Sequence, residues 1–261
     1  KAIPKTFCRG RSVKIVCVIP ARLGSLRFPR KVLCMLGNQP LLQWVWEAAT
    51  RCPQFDEVVF AIDDQETAAL IDSFGGKYLM SSPHCTCGTE RLIELLESGY
   101  IQGDVWVNWQ GDEPFICPQM IEELLETVHD PLADIWTLKK KIKKEKEIAN
   151  PHVVKVVTNS LGSALYFSRS PIPYRREPFI SKTGFYYKHI GLYAFRQSAL
   201  KQIQKMPPSS LEDQEGLEQL RFLENGLRIQ VHETTYETIG IDHPYDLKTA
   251  TAWINKKEAI I

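Results

Sequence analysis

Short apolar runs recur through the first half of this chain, with stretches of helical spacing between them. The runs are Val13–Ile19, Glu57–Ile62, Lys77–Met80 and Val105–Trp109. The intervening stretches are Leu41–Arg51, Thr67–Phe74 and Glu90–Leu96. A strand that is apolar throughout must be covered on both faces, and strands joined through helices run parallel. The alternation therefore predicts an α/β fold around a mainly parallel sheet. Gly75-Gly76 is a helix stop, and Pro118 opens a further helix, Gln119 to Val128.

After about residue 134 the pattern changes. Ile135–Leu138, Val153–Thr158, Ala164–Ser168 and His189–Phe195 read as strands, the last two antiparallel. The run Lys139–Lys146 is dominated by lysine and reads as a solvated helix face or a loop. A Pro- and Arg-rich excursion, Pro171 to Tyr187, is too long for a hairpin turn and suits a partner contact or a lid. A helix over Leu211–Glu224, a strand over Ile229–Val231 and a last helix from about Tyr245 complete the pattern. The organisation expected is an N-terminal extension over 1–12 and a single domain over 13–261, with a smaller inserted lobe at roughly 135–195.

In open parallel sheets, ligands sit beyond the carboxyl ends of strands, near the point where strand order reverses. Three segments fall at such ends. The first follows Ile15–Ile19: Pro20, then a loop with Arg22, Gly24, Ser25, Arg27, Arg30 and Lys31. A glycine that lets backbone N–H groups approach, ringed by cations, suits a triphosphate or another polyanion. An ordinary basic turn would look the same, since the GxxxxGK[ST] and GxGxxG patterns are both missing. The second is Gln110-Gly111-Asp112-Glu113-Pro114, and the third is Gly240-Ile241-Asp242. Magnesium takes one or two carboxylates together with substrate phosphate oxygens and water, so Asp112 and Asp242 are its candidate ligands. Each is also an ordinary turn or cap residue. A cationic loop and two strand-end aspartates together fit metal-assisted phosphoryl or nucleotidyl transfer. A Ser-His-Asp hydrolase lacks its G-x-S-x-G elbow.

Net charge is +1 over 261 residues, so any electrostatic attraction must be local and no nucleic-acid partner is expected. No apolar run has the length of a membrane span, and Lys1–Lys14 lacks the apolar centre of a secretory signal, so a cytoplasmic location is expected. The odd count of seven cysteines argues against a disulfide framework. His84, Cys85 and Cys87 lack a second ligand pair at zinc-finger spacing.

The ordered motifs resemble one family closely. Ile19-Pro20-Ala21-Arg22 with Ser25–Lys31 looks like the signature loop of the sugar-acid cytidylyltransferases, and within them of the 3-deoxy-manno-octulosonate (KDO) cytidylyltransferases. Ala61-Ile62-Asp63-Asp64, Gly88-Thr89-Glu90-Arg91, Gln110–Pro114, Asn150-Pro151, Val154–Val157 and Ala164–Arg169 follow in order. Ile172-Pro173, His189–Tyr193, Leu217–Arg221 and Gly240–Pro244 complete the set, which runs from Val13 to Trp253. The resemblance implies a nucleotide-diphospho-sugar transferase-like fold and CMP transfer from CTP to KDO with Mg²⁺, in lipopolysaccharide biosynthesis. It also implies a homodimer, for which the Ser168–Tyr187 excursion is a candidate contact. Another sugar acid, an amino-KDO or a sialic-acid-like molecule, is the alternative acceptor.

The resemblance implies residue roles as well. Arg22 and Lys31 would bind CTP phosphates in the loop that contains Ala21, Gly24 and Ser25. Gly88, Thr89 and Arg91 would read the cytosine, with Gln110 bordering both substrates. Asp112 and Asp242 would hold Mg²⁺. Arg27, Arg169, His189, Tyr193, Glu218 and Gln219 would form the sugar-acid pocket, where a guanidinium such as Arg169 can hold a carboxylate bidentately. His189 is expected to hydrogen-bond or pack rather than shuttle protons. The chain departs from the family pattern at Arg30 and Val32, where the family has Gly and Pro, at Cys87, where it has Ser, and at His243–Leu247.

Overall fold

The computed structural model describes residues 13–24, 28–176 and 185–258. Strand β1 (Ile15–Ala21) leads through a 3₁₀ turn (Lys31–Leu33) and a small hairpin, β2 (Met35–Leu36) with β3 (Gln39–Pro40), into α1 (Leu41–Thr50). Then come β4 (Glu57–Ile62), α2 (Gln65–Ser73), β5 (Tyr78–Met80), α3 (Gly88–Ser98), β6 (Val105–Asn108) and α4 (Pro118–Leu124). The next portion holds β7 (Ile135–Lys141), α5 (Glu145–Ala149), β8 (Lys155–Thr158), β9 (Ala164–Ser168) and β10 (Tyr187–Arg196). The chain closes with α6 (Gln197–Ile203), α7 (Ser210–Glu215), α8 (Gln219–Glu224), β11 (Ile229–Glu233) and α9 (Pro244–Glu258).

The main sheet runs β11-β7-β10-β6-β1-β4-β5. β1 pairs in parallel with both β4 and β6, and β4 with β5. β10 is antiparallel to β6 and to β7, while β11 rejoins β7 in parallel. Strand order reverses at β1, so the loop after Ala21 and the loop after Asn108 leave the sheet side by side. β8 and β9 form an antiparallel extension that meets β10 at Lys188.

Side-chain alternation on β1 builds the two core layers. Ile15, Cys17 and Ile19 face one layer with Leu42 and Val45 of α1 and Met120 and Ile121 of α4. Val16 and Val18 face the other with Leu92 of α3, Leu200 of α6 and Leu220 of α8. A separate cluster joins Leu36, Leu41 and Phe115 to Ile241, Ala250 and Ile254, and so seats α9 and the loop before it against the first half of the chain. Among the described residues no helix is long and apolar enough to cross a membrane.

Three sequence expectations need correction. Lys139–Lys141 is not a solvated run but the end of β7. Lys140 is buried because its ammonium donates to the Thr235 and Tyr236 carbonyls and pairs with Glu237 at 3.2 Å. The helix expected over Leu211–Glu224 is two helices, because Gly216 takes φ +60° and ends α7. The extra cation at Arg30 also does not join the loop's other charges: its guanidinium pairs with Glu66 of α2. Several elements left no clear pattern in the sequence, among them α6 and the β2–β3 hairpin.

Arg30 occupies φ 58°, ψ 27°, the left-handed region that glycine enters without strain. A residue with a β-carbon there carries roughly 1–2 kcal/mol of strain. The exposed pair with Glu66 offsets little of it. Arg30→Gly should therefore be more stable than Arg30→Ala by about 1 kcal/mol, measured by urea unfolding. Equal stabilities would remove the strain argument.

Candidate active site

The loops after β1 and β6 and the start of α3 enclose a cavity of about 380 Å³. Pro20, Arg22, Lys31 and Val32 come from the first loop, Gln110, Gly111 and Asp112 from the second, and Thr86–Gly88 with Arg91 from the third segment. The Gly111 N–H donates to the Pro20 carbonyl at 3.2 Å, which holds the first two loops together. Arg22 is exposed at the rim, with Nη1 3.5 Å from the Thr86 carbonyl. Ala21 is buried at the end of β1 and Gly24 is exposed beyond it. Ser25 and Arg27 lie outside the described residues.

Lys31 pairs with two carboxylates at the cavity. It is only 8% exposed, and its Nζ lies 2.5 Å from Asp112 Oδ2 and 3.6 Å from Asp242 Oδ1. A buried ammonium needs such partners, since losing its hydration without them is costly. The Asp242 loop is held in register by two contacts. The Ile241 N–H donates to the Asp112 carbonyl at 2.9 Å. Asp246 Oδ2 accepts from the Asp242 and His243 N–H groups at 3.0 and 2.7 Å. Two carboxylates around one ammonium leave a net negative charge. Burial pushes the neighbouring Glu113 carboxyl up to about 8, helped by the charges of Asp112 and Asp242, while Lys31 opposes the rise.

This donor set fits magnesium. Asp112 and Asp242 offer hard oxygen donors, and among the described residues no group of three or more Asp, Glu, His or Cys ligands forms an all-protein cage. Magnesium keeps several waters and shares substrate phosphates, so two carboxylates beside an open cavity suit it.

The start of α3 forms the second wall. Arg91 is buried, with its guanidinium on Ser81 Oγ and 2.7 Å from Asp63 Oδ2. The other Asp63 oxygen accepts from the Leu23 N–H at 3.1 Å. Arg91 and Asp63 thereby tie α3 to the basic loop. A β-carbon on Gly88 would lie 3.0 Å from Asn108 Nδ2 and 3.2 Å from Gln110 Nε2, so α3 starts hard against the end of β6. Gln110 in turn donates to Asn108 Oδ1 at 2.9 Å. Thr89 Oγ1 and Cys87 Sγ donate to the two oxygens of Glu218, at 2.8 and 3.3 Å. Cysteine thus supplies a longer version of the bond a serine would make. Burial and then the Glu218 charge push the Cys87 thiol up to about 12, so it is protonated and unreactive at neutral pH. Burial also raises the Glu218 carboxyl, against the bonds from Thr89 and Cys87.

The residues expected around a sugar acid divide into two sets. His189, Tyr193 and Glu218 are not among the residues that line the cavity: Glu218 stands behind its Cys87 wall, and His189 packs on Tyr193. Tyr193 stands opposite Asn108 in the β10–β6 ladder. The His189 ring lies 5.2 Å from Tyr193 and 5.1 Å from Phe167, with Nε2 3.0 Å from Thr137 Oγ1. Burial pushes His189 down to about 3, so it is neutral at pH 7. The Tyr193 hydroxyl is sealed from water without a hydrogen-bond partner, and burial raises its pKa well above the usual value. Gln219 is buried at the start of α8. Arg169 belongs to the other set. Its guanidinium donates to the main-chain carbonyls of Glu215, Pro151 and Gly216 at 2.6, 3.0 and 3.2 Å. In this conformation it braces the α7–α8 junction instead of presenting a free bidentate fork. Asp63 and Glu113, which lie within the motifs, also shape the site. Their signal was position, an acid at the end of a parallel strand.

Comparison with known proteins agrees with this architecture. A family model described as cytidylyltransferase matches residues 16–229. A 3-deoxy-manno-octulosonate cytidylyltransferase of Thermodesulfovibrio yellowstonii is 47% identical over 249 residues, covering 92% of this chain and 98% of that protein. One from Geobacter sulfurreducens is 44% identical over 245 residues, covering 90% and 97%. The solved structure of a CMP:2-keto-3-deoxy-manno-octonic acid synthetase complexed with CTP superimposes with a TM-score of 0.87 at 39% identity, covering 94% of this chain and 99% of that one. A 4-diphosphocytidyl-2C-methyl-D-erythritol synthase from Anaerococcus prevotii shares the fold at a TM-score of 0.60 and 16% identity. The paired carboxylates, the basic loop and the start of α3 thus belong to a chain that is a member of the cytidylyltransferase family.

Proposed function

We propose that this chain transfers CMP from CTP to 3-deoxy-D-manno-octulosonate, releasing pyrophosphate and supplying CMP-KDO for lipopolysaccharide biosynthesis. The observation that carries the reading is Lys31 held between Asp112 and Asp242 in a cavity walled by the Arg22 loop and the start of α3. Relatives above 40% identity carry that name over nearly their whole length.

In the reaction the anomeric hydroxyl oxygen attacks the α-phosphorus, the bond to pyrophosphate breaks, and the hydroxyl proton leaves to solvent. Two anions must meet, so charge neutralisation is the main task. Lys31 and Arg22 would offset the triphosphate charge, and Lys31 already stands where phosphate oxygens would replace part of its pairing. Gly88 leaves room for the base against Gln110, while Arg91 keeps the start of α3 fixed. Magnesium, held by Asp112 and Asp242, would neutralise phosphate oxygens and favour ionisation of the attacking hydroxyl. His189, neutral, would offer a hydrogen bond rather than a proton. Cytoplasmic location fits an enzyme that uses CTP. A homodimer through the 168–187 excursion fits the exposed Tyr174 and Phe185 that flank its undescribed centre. Sedimentation at micromolar concentration should show a dimer, and a monomer would overturn that part.

Pyrophosphate release should occur with CTP, Mg²⁺ and KDO, and fall to background with sialic acid, without sugar or with excess EDTA. Release with sialic acid alone would support the other acceptor. Asp112→Asn should lower kcat by about 100-fold or more, with the chain still folded but a lower Tm, because buried Lys31 loses its nearest charged partner. Near-normal turnover in that variant would remove the metal assignment.

Histidine burial adds a pH signature. A His189 pKa held near 3 in the folded chain, against about 6.5 unfolded, leaves stability unaffected above pH 6.5 and lowers it as pH falls below that. From pH 7 to pH 5 the stability advantage of wild type over His189→Asn should shrink by about 1–2 kcal/mol in urea unfolding. A constant difference would mean that His189 titrates freely.

A further inference from the structure

Glu113 has no part in the chemistry above, yet it occupies the joint between the two aspartate loops. Its main chain is fixed to the core: its carbonyl accepts from the indole N–H of the buried Trp109 at 3.0 Å, and its N–H donates to the Gln110 carbonyl at 3.1 Å. Its side chain reaches across to the other loop. A β-carbon on Gly240 would lie 2.8 Å from Glu113 Oε1 and 3.4 Å from its Cδ. A side chain at 240 would require the carboxyl to shift, since the nearer distance is below van der Waals contact. In open solvent the end of a glutamate would swing away. Here Oε2 is sealed from water and has no hydrogen-bond partner, so the carboxyl is enclosed.

The two loops also share the bond from the Ile241 N–H to the Asp112 carbonyl. A single hydrogen bond between two loops leaves a pivot. A second contact, one residue after Asp112 and one before Ile241, removes it. We propose that Glu113 is a positioning residue: its side chain, seated beneath Gly240, sets the spacing between the carboxylates of Asp112 and Asp242. An enclosed carboxyl with an unused oxygen is a costly filler compared with an apolar side chain. Its length and shape fit the gap beneath a bare backbone. The proposal rests on Asp112 and Asp242 working as a metal-holding pair.

The test uses the whole chain and three variants: Gly240→Ala, which intrudes on the carboxyl; Glu113→Asp, which withdraws it by one methylene; and the double variant, in which each change relieves the other. Mn²⁺ binding in the presence of CTP is read by electron paramagnetic resonance, beside kcat, KM for CTP and Tm. Each single variant should weaken Mn²⁺ binding by about tenfold, the usual effect of disturbing groups behind a metal ligand, with a smaller change in KM for CTP. The double variant should bind Mn²⁺ more tightly than either single one. If Gly240→Ala does not fold, Glu113→Asp alone must still weaken Mn²⁺ binding. Lower Tm with unchanged Mn²⁺ affinity would reduce Glu113 to a packing residue and overturn the proposal, as would losses that simply multiply in the double variant. Asp112→Asn and Asp242→Asn separate the two levels. If both bind Mn²⁺ normally, the metal pair fails and the proposal with it. If both lose Mn²⁺ while Glu113→Asp and Gly240→Ala do not, the positioning role alone fails.

Discussion

One ammonium group organises this molecule's functional end. Lys31 is nearly buried, and its charge is tolerable there because Asp112 and Asp242 face it. Those residues come from three loops far apart in the chain. The ion pair cannot form until β1 and β6 lie side by side and α9 has docked through Ile241, Ala250 and Ile254. The same arrangement that makes Lys31 affordable concentrates negative charge at the mouth of a cavity. Removing the lysine would leave the aspartates repelling each other, and removing an aspartate would leave a buried cation short of a partner.

The start of α3 is arranged on the same principle, with polar groups fixed before any ligand arrives. Arg91 and Asp63 pair inside the protein and extend to Ser81 and the Leu23 N–H. Thr89 and Cys87 converge on Glu218, which stands at the start of α8 only because Gly216 has broken the preceding helix. A base bound against Gly88 and a sugar bound near Glu218 would therefore contact groups that already share hydrogen bonds. Glu218 joins Cys87 and Thr89 at the start of α3 to α8. Such preorganisation lowers the reorganisation needed during the reaction.

Much of the fold was legible because it rests on local periodicity. The apolar runs of β1, β4 and β6 and the helical spacing of α1 and α3 specify strands and helices without reference to partners. Lys140 and Lys155 show the limit. Both are lysines by composition, and both are buried because main-chain carbonyls from elsewhere meet their ammonium groups. Arg169 shows it at the site: its guanidinium chemistry suited a carboxylate, and two carbonyls of the α7–α8 junction with that of Pro151 took it up. Arg30 is a similar case, read as an added charge in the loop and found turned onto α2.

The sequence by itself determined the α/β class, the parallel order of the first strands, the basic loop at a strand end and the two isolated aspartates, since each depends on residues adjacent in the chain. It also carried the family, through motifs in order along nearly its whole length. Only the tertiary structure decided that Lys31 stands between Asp112 and Asp242, that Glu113 lies under Gly240, and that Glu218 joins Thr89 and Cys87. Those relations depend on how loops from separate strands and helices pack. Such contacts are set by the burial of distant apolar faces and by which polar groups remain to satisfy one another, and neither is written in local spacing.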